Sequence, residues 1–198
     1  MTTARAATRG PARREAVLDD LVELFLAEGF ALFTLDELAR RLHCSKSTLY
    51  AVAGSKEQLV VAAVRRFFAR ATVAVESRAA EPADAAGAIE AYLLAVSEQL
   101  RPASAAFFAD LADFPPAAEV YARNTRTAAR RVQQLVSGGV GAGTLRPAHA
   151  SFVGAAVTEV MAAIHAGRIA EATDLDDAAA YRELAALVVA GLHRASPA

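Results

Sequence analysis

Between Thr34 and Lys56 the chain spaces hydroxyls and cations in a pattern suited to a polyanion. Ser45 stands directly before Lys46, Ser47, Thr48 and Tyr50, and Lys46 and Lys56 are the only two lysines in the sequence. A lysine can donate to guanine O6 or N7, while serine and threonine read either base type weakly. Arg40 to Arg70 carries seven bases (Arg40, Arg41, Lys46, Lys56, Arg65, Arg66 and Arg70) against one acid, Glu57. Arg5, Arg9, Arg13 and Arg14 fall within the first fourteen residues with no acid among them. Such a segment is either a minor-groove or phosphate-binding arm or a plain tail. The competing reading of the charge clusters is a set of solvated helix faces, and that of Tyr50 is a packed core aromatic.

Short helices position these groups. A first helix is expected from about Pro11 to Glu28, with Val17, Leu18, Leu21, Leu24 and Phe25 on one face and Gly29 as its stop. Thr34 and Glu37 form a T-x-x-E capping box for a second helix, in which Leu35, Leu38, Ala39 and Leu42 mark a buried stripe. Ser45 caps a third helix, Lys46 to about Val52, with Leu49 facing inward. Ser55 with Gln58 caps a fourth, running to roughly Ala79. Two short helices joined by a tight turn make a helix-turn-helix, whose second member fits a DNA major groove. Leu38, Leu42 and Leu49 hold the pair, and Lys46, Ser47, Thr48 and Tyr50 are left near the outward start of the reading helix.

Composition narrows the class. The chain has 198 residues, of which 55% are hydrophobic and 22% charged, and alanine fills about a quarter of positions. That is too apolar for disorder and too alanine-rich for sheet, so the fold class expected is all-α. Net charge is −1, but residues 1–80 hold 12 Lys and Arg against 9 Asp and Glu, and residues 81–198 hold 9 against 13. The basic half is the half with the motif. A lone cysteine, Cys44, excludes an internal disulfide and a CxxC metal site and fits a reducing compartment. With no apolar signal segment and no spanning stretch, the expected location is cytoplasmic. Neither a nucleophile elbow nor a glycine-rich phosphate loop is present, so no enzyme and no cofactor are expected. The spacing of His149, His165 and His193 likewise argues against a metal.

Residues 13 to 75 resemble the DNA-binding domain of the tetracycline-repressor-like (TetR) family of transcriptional regulators. The carrying stretch is Thr34 to Tyr50, TLDELARRLHCSKSTLY, followed by Ser55-Lys56-Glu57 and then Leu59. In that family a threonine opens helix two, a Ser-x-x-Thr-Leu-Tyr segment forms the reading helix, and a Ser-Lys-Glu box starts helix four. The resemblance implies that Tyr50 and Lys56 grip phosphates, Thr34 contacts the backbone, and Lys46, Ser47 and Thr48 lie closest to base edges. It departs in three places. His43 stands where a turn glycine is usual, Cys44 replaces a small aliphatic, and Val52 and Ala53 replace an aromatic pair. His43 tolerates a left-handed conformation better than most residues, Cys44 reads best as a small hydrophobe, and Val52 as packing.

About nine helices are expected from these signals, and the resemblance implies that they fall in three segments. These are a flexible basic arm (1–12), a helix-turn-helix domain with its connecting helix (13–79), and a larger helical ligand-binding and dimerisation domain (80–198). Helices are expected there over Asp84–Leu100, Ser104–Asp113, Pro116–Ser137, Pro147–Ala172 and Asp176–Arg194, with Gly138 to Gly143 as a loop. The last two would pair subunits, although Phe152, Val160, Ile164, Leu184 and Leu187 serve an internal core equally well. Tyr92, Phe107, Phe108, Phe114, Tyr121 and Met161, with Asn124, Thr158 and His165 as polar anchors, can line a cavity for a lipophilic ligand or simply form core. The partners expected are a palindromic duplex operator, a small-molecule effector and a second copy of the chain, with no membrane. The function expected is a repressor released by its ligand. The alternatives are an activator, a ligand-independent regulator and a helical interaction adaptor.

Overall fold

The computed structural model describes residues 9–194, and among these it contains ten α-helices and no strand. They are α1 (Arg9–Glu28), α2 (Leu35–Arg41), α3 (Lys46–Val52), α4 (Lys56–Ala79), α5 (Ala85–Leu100), α6 (Ala105–Asp113), α7 (Pro115–Gly141), α8 (Ala150–His165), α9 (Arg168–Thr173) and α10 (Asp177–Leu192). Hydroxyls and carboxylates placed before the helices act as caps. Thr34, Ser45, Asp84, Ser104 and Asp176 each accept from the backbone N–H three residues on, satisfying a donor that the helix itself leaves orphaned.

The chain forms two compact units, and the expected boundary at 79/80 does not separate them. The first comprises residues up to Ala69 together with Pro102–Tyr121; the second comprises Arg70–Arg101 and the described residues from Ala122 onward. Helices α4 and α7 each divide their residues between the two. In the first unit α1 packs against α3 and α6, burying Val17, Leu21, Val22, Phe25 and Leu26. Phe30, Phe67 and Phe107 add an aromatic cluster with ring centroids about 6 Å apart and edge-to-face inclinations, a geometry worth ~0.5–1.5 kcal/mol per pair beyond burial.

In the second unit α10 packs on α5 and α8, around a core that includes Ile89, Tyr92, Leu93, Val136, Val157, Met161, Ile164, Tyr181 and Leu184. Three expectations are corrected here. The helix expected over Pro147–Ala172 is two helices: α8 begins after His149, whose ring accepts from Phe152 N at 3.2 Å, and Gly167 at φ 73° breaks it before α9. Helix α7 runs on through Gly138, Gly139 and Gly141, which are therefore not loop. At Gly139 a Cβ would lie 2.5 Å from Leu145 Cδ1 and 2.7 Å from Ala85 Cβ, so the glycine lets those residues close on the helix. Finally, α1 starts at Arg9, two residues before the expected Pro11, while residues 1–8 of the expected arm lie outside the described residues.

Candidate nucleic-acid interface

The helix-turn-helix consists of α2, the turn Leu42–Ser45 and α3. Leu38 and Leu49 are fully buried and fix the two helices, whereas Leu35, Ala39 and Leu42 are only half-buried, a shallower stripe than their spacing implies. His43 adopts φ 48°, the left-handed state needed where the resembling family has glycine. Thr34 Oγ1 accepts from Glu37 N at 3.2 Å. The Glu37 carboxylate lies 3.7 Å from Arg40, an i,i+3 attraction, in place of the expected reach back to the cap. At α4, Ser55 Oγ accepts from Gln58 N at 3.2 Å and Gln58 Oε1 accepts from Gly54 N at 2.9 Å.

Lys46, Ser47 and Tyr50 stand exposed on α3, Tyr50 at 51%, so its core reading is overturned. Thr48 is half-buried. Ser45 Oγ joins Ser47 Oγ at 2.7 Å and Thr48 Oγ1 at 2.9 Å, so the three hydroxyls share one network at the start of the reading helix. Lys46 Nζ pairs with Asp36 Oδ1 at 2.6 Å, which holds the ammonium pKa above its ordinary value. Lys56 is half-buried and donates to Ala31 O at 2.8 Å. An ammonium has three donors, so this bond leaves Lys56 capacity for a phosphate.

Two arginine pairs brace the motif. Arg41 binds Glu28 across α2 and α1, with its guanidinium 5.7 Å from the centre of the Phe33 ring, and Arg66 grips Asp19 at 2.9 and 3.1 Å. Of the expected arm, Arg13 and Arg14 are exposed on α1 and Arg9 lies in its first turn, while Arg5 lies outside the described residues. Cys44 is half-buried, and burial pushes its thiol pKa up, disfavouring the reactive thiolate. Asp36 and Ala31 were not expected at the interface. Neither carries a local signal, because the pairings join residues 10 and 25 apart in the chain across turns.

The nine expected effector residues do not fall in one unit. Phe107, Phe108, Phe114 and Tyr121 belong to the first, and Tyr92, Asn124, Thr158, Met161 and His165 to the second. Phe107 is packed by Val22, Phe25, Leu26, Ala63, Val64 and Phe67 with no space for a water molecule, which makes it core and not the wall of an open cavity. Phe108 stacks edgewise on Tyr121 with centroids 6.3 Å apart. Tyr92 and Met161 are buried in the second core, where burial, with Glu76 adding to it, pushes the Tyr92 phenol up to about 12. Asn124 Oδ1 lies 3.5 Å from Thr72 Oγ1, Thr158 donates to Gly154 O at 2.8 Å, and His165 Nε2 meets Tyr181 OH at 2.9 Å. Among the described residues no group of three or more His, Cys, Asp or Glu is placed to hold a metal, and no helix is long and apolar enough to cross a membrane.

Among the described residues the chain forms a helix-turn-helix whose second helix is exposed, hydroxyl-capped and carries a lysine and a tyrosine, a geometry that suits a DNA major groove. Residues 17–63 match the model of the bacterial regulatory proteins of the tetR family, and no curated protein matches the chain. The fold is similar to a TetR transcription regulator from Haloarcula marismortui, with a TM-score of 0.77 at 14% identity, covering 93% of this chain and 100% of that one. It is also similar to a TetR-family transcriptional regulator from Cytophaga hutchinsonii, with a TM-score of 0.76 at 13% identity, covering 95% and 98%. A second transcriptional regulator from that organism gives 0.72 at 15% identity, covering 91% and 98%. Residues 17–63 thus match the tetR-family regulatory proteins, and the fold of the chain is TetR-like.

Proposed function

We propose that the chain is a homodimeric repressor that leaves a palindromic operator when a small lipophilic ligand binds, and that it has no catalytic step. The observation that carries the DNA-reading part is the exposed Tyr50 beside Lys46 on a helix locked by fully buried Leu38 and Leu49. In this reading Lys46, Ser47 and Thr48 address base edges, while Thr34, Tyr50 and Lys56 address the sugar-phosphate backbone, which sets register without carrying sequence information. Arg13 and Arg14, exposed on α1, are further cations for the duplex in this reading.

Pairing through α8 and α10 is supported by Phe152, 70% exposed on α8, and Leu187, 72% exposed on α10. Large apolar side chains in that state on two mutually packed helices favour a covering partner, and a second copy supplies the two-fold symmetry that a palindrome requires. The two reading heads would then meet successive major grooves about 34 Å apart. The effector site is proposed in the second unit, near Tyr92 and Met161, because the core there is apolar with few polar anchors. A ligand would act only through its different affinities for binding-competent and incompetent states.

Selection of bound sequences from a random duplex pool, with the stoichiometry of the complex measured by light scattering, tests the reading. A palindrome bound by two chains is expected. Recovery of no preferred sequence, or of one chain per site without symmetry, overturns it.

A further inference from the structure

We propose that Asp110, on α6, is a positioning residue for duplex binding: it fixes the loop after α1, and that loop aims the Lys56 ammonium at the DNA backbone. The proposal rests on the reading of Lys56 as a phosphate contact. Its basis is a continuous run of hydrogen bonds within the first unit. Asp110 Oδ2 accepts from Phe30 N at 2.5 Å and from Ala31 N at 2.8 Å, and Ala31 O accepts from Lys56 Nζ at 2.8 Å.

The two amides lie just past the end of α1, where Gly29 turns the chain at φ 76°. One carboxylate oxygen serving two successive backbone N–H groups forms charge-assisted bonds, stronger than neutral ones. The fit is close, since a Cβ on Gly29 would lie 2.5 Å from Asp110 Oδ2 and 3.3 Å from Ala106 C. Ser104 N donates to Leu26 O at 2.8 Å as a second tether, and the Phe30 ring packs edge-on against Phe107 and Phe114, centroids 6.2 and 6.1 Å away. Phe30, Ala31, Lys56, Glu57, Asp110 and Phe114 share the lining of one cleft of about 270 Å³. The loop is thus over-determined, and its Ala31 carbonyl is a fixed acceptor.

That fixed acceptor is what Lys56 needs. A lysine is a point charge on a four-carbon stem, and confining it before DNA arrives removes ordering entropy that binding would otherwise have to overcome. Without Asp110 the Phe30 and Ala31 amides turn to water, the carbonyl loses its single direction, and Lys56 samples its other rotamers.

Because a phosphate contact is independent of sequence, a fluorescein-labelled duplex of random sequence suffices as probe. Its binding is titrated over a range of salt for wild type, D110A, D110N, K56A and D110A/K56A. D110A is expected to weaken binding about fivefold and to flatten the log–log salt slope by ~0.9, one phosphate's worth, as K56A does. D110N, whose amide oxygen can accept from both N–H groups, should restore the slope, and the double variant should lose no more than K56A alone. A wild-type slope in D110A, or additive losses in the double variant, overturns the proposal while leaving Lys56 a phosphate contact. A wild-type slope in K56A overturns both together. If far-UV circular dichroism finds D110A unfolded, D110S replaces it under the same readings, its hydroxyl being too short to span both amides.

Discussion

Lys46 Nζ lies 2.6 Å from Asp36 Oδ1, so an ion pair links α3 to α2 on the solvent face of the helix-turn-helix, with 50% and 77% of the two side chains exposed. An exposed pair adds little to folding, and its importance lies elsewhere: it puts a carboxylate beside the cation assigned to the bases. Asp36→Asn removes a negative charge that faces the polyanion and frees the ammonium for any phosphate within reach. Thermal stability should hold, affinity for random duplex should rise several-fold, and the ratio of operator to random binding at fixed salt should fall. A thermal melt reads the first and competition titrations the other two, and an unchanged ratio would show that Asp36 contributes nothing to discrimination.

Lys46 and Lys56 should separate by the kind of loss they produce. Lys46→Ala is expected to relax preference at one base position by about tenfold, because a lysine directed at guanine O6 or N7 carries sequence information. Lys56→Ala should weaken every sequence alike. Binding of each variant to single-substitution operator libraries distinguishes the two patterns, and a uniform loss in both would move Lys46 to the backbone contacts.

Two helical glycines should respond to alanine with opposite signs. Gly138 on α7 has nothing within 4 Å of an added Cβ, so Gly138→Ala should stabilise by ~0.5–1 kcal/mol through helix propensity and a less free unfolded chain. At Gly154 on α8 the new Cβ would lie 2.7 Å from Ala129 O, a backbone atom of α7. Overpacking costs about 1–3 kcal/mol, which exceeds the propensity gain, so Gly154→Ala should destabilise. Chemical denaturation of the two variants against wild type tests the pair.

Those glycines also mark what was legible in the sequence. Helices α2 to α4 could be read because Thr34, Ser45 and Ser55 act on amides three residues away, and a local rule needs only local residues. The same holds for His43, whose left-handed φ follows from its place in the turn. Gly138 and Gly139 read as loop because their composition gives no sign that the helix continues and that Leu145 and Ala85 close on it at Gly139. The break at Gly167 was hidden by alanines that are helix formers on both sides. At the interface, residue types pointed to Lys46, Tyr50 and Lys56, but their partners Asp36 and Ala31, and Asp110 behind Ala31, are set by tertiary placement alone.

His165 makes stability sensitive to acid. Burial holds its imidazole pKa down at about 4, below the ordinary 6.5, with Nε2 against the buried hydroxyl of Tyr181 at 2.9 Å. A depressed histidine means that the unfolded chain binds the proton first, so folding stability rises with pH across the interval. The contribution is fully present above about pH 6.5 and is lost as pH falls toward 4, where both states carry the proton. A shift of this size corresponds to on the order of 3 kcal/mol. His165→Gln keeps a polar side chain that can face Tyr181 but cannot titrate. Its stability curve should therefore be flatter than wild type between pH 6.5 and 4, with carboxylate effects common to both proteins cancelling in the difference. Urea midpoints measured at half-unit steps through that window give the difference directly, and parallel curves would show that the imidazole is not held neutral by the fold.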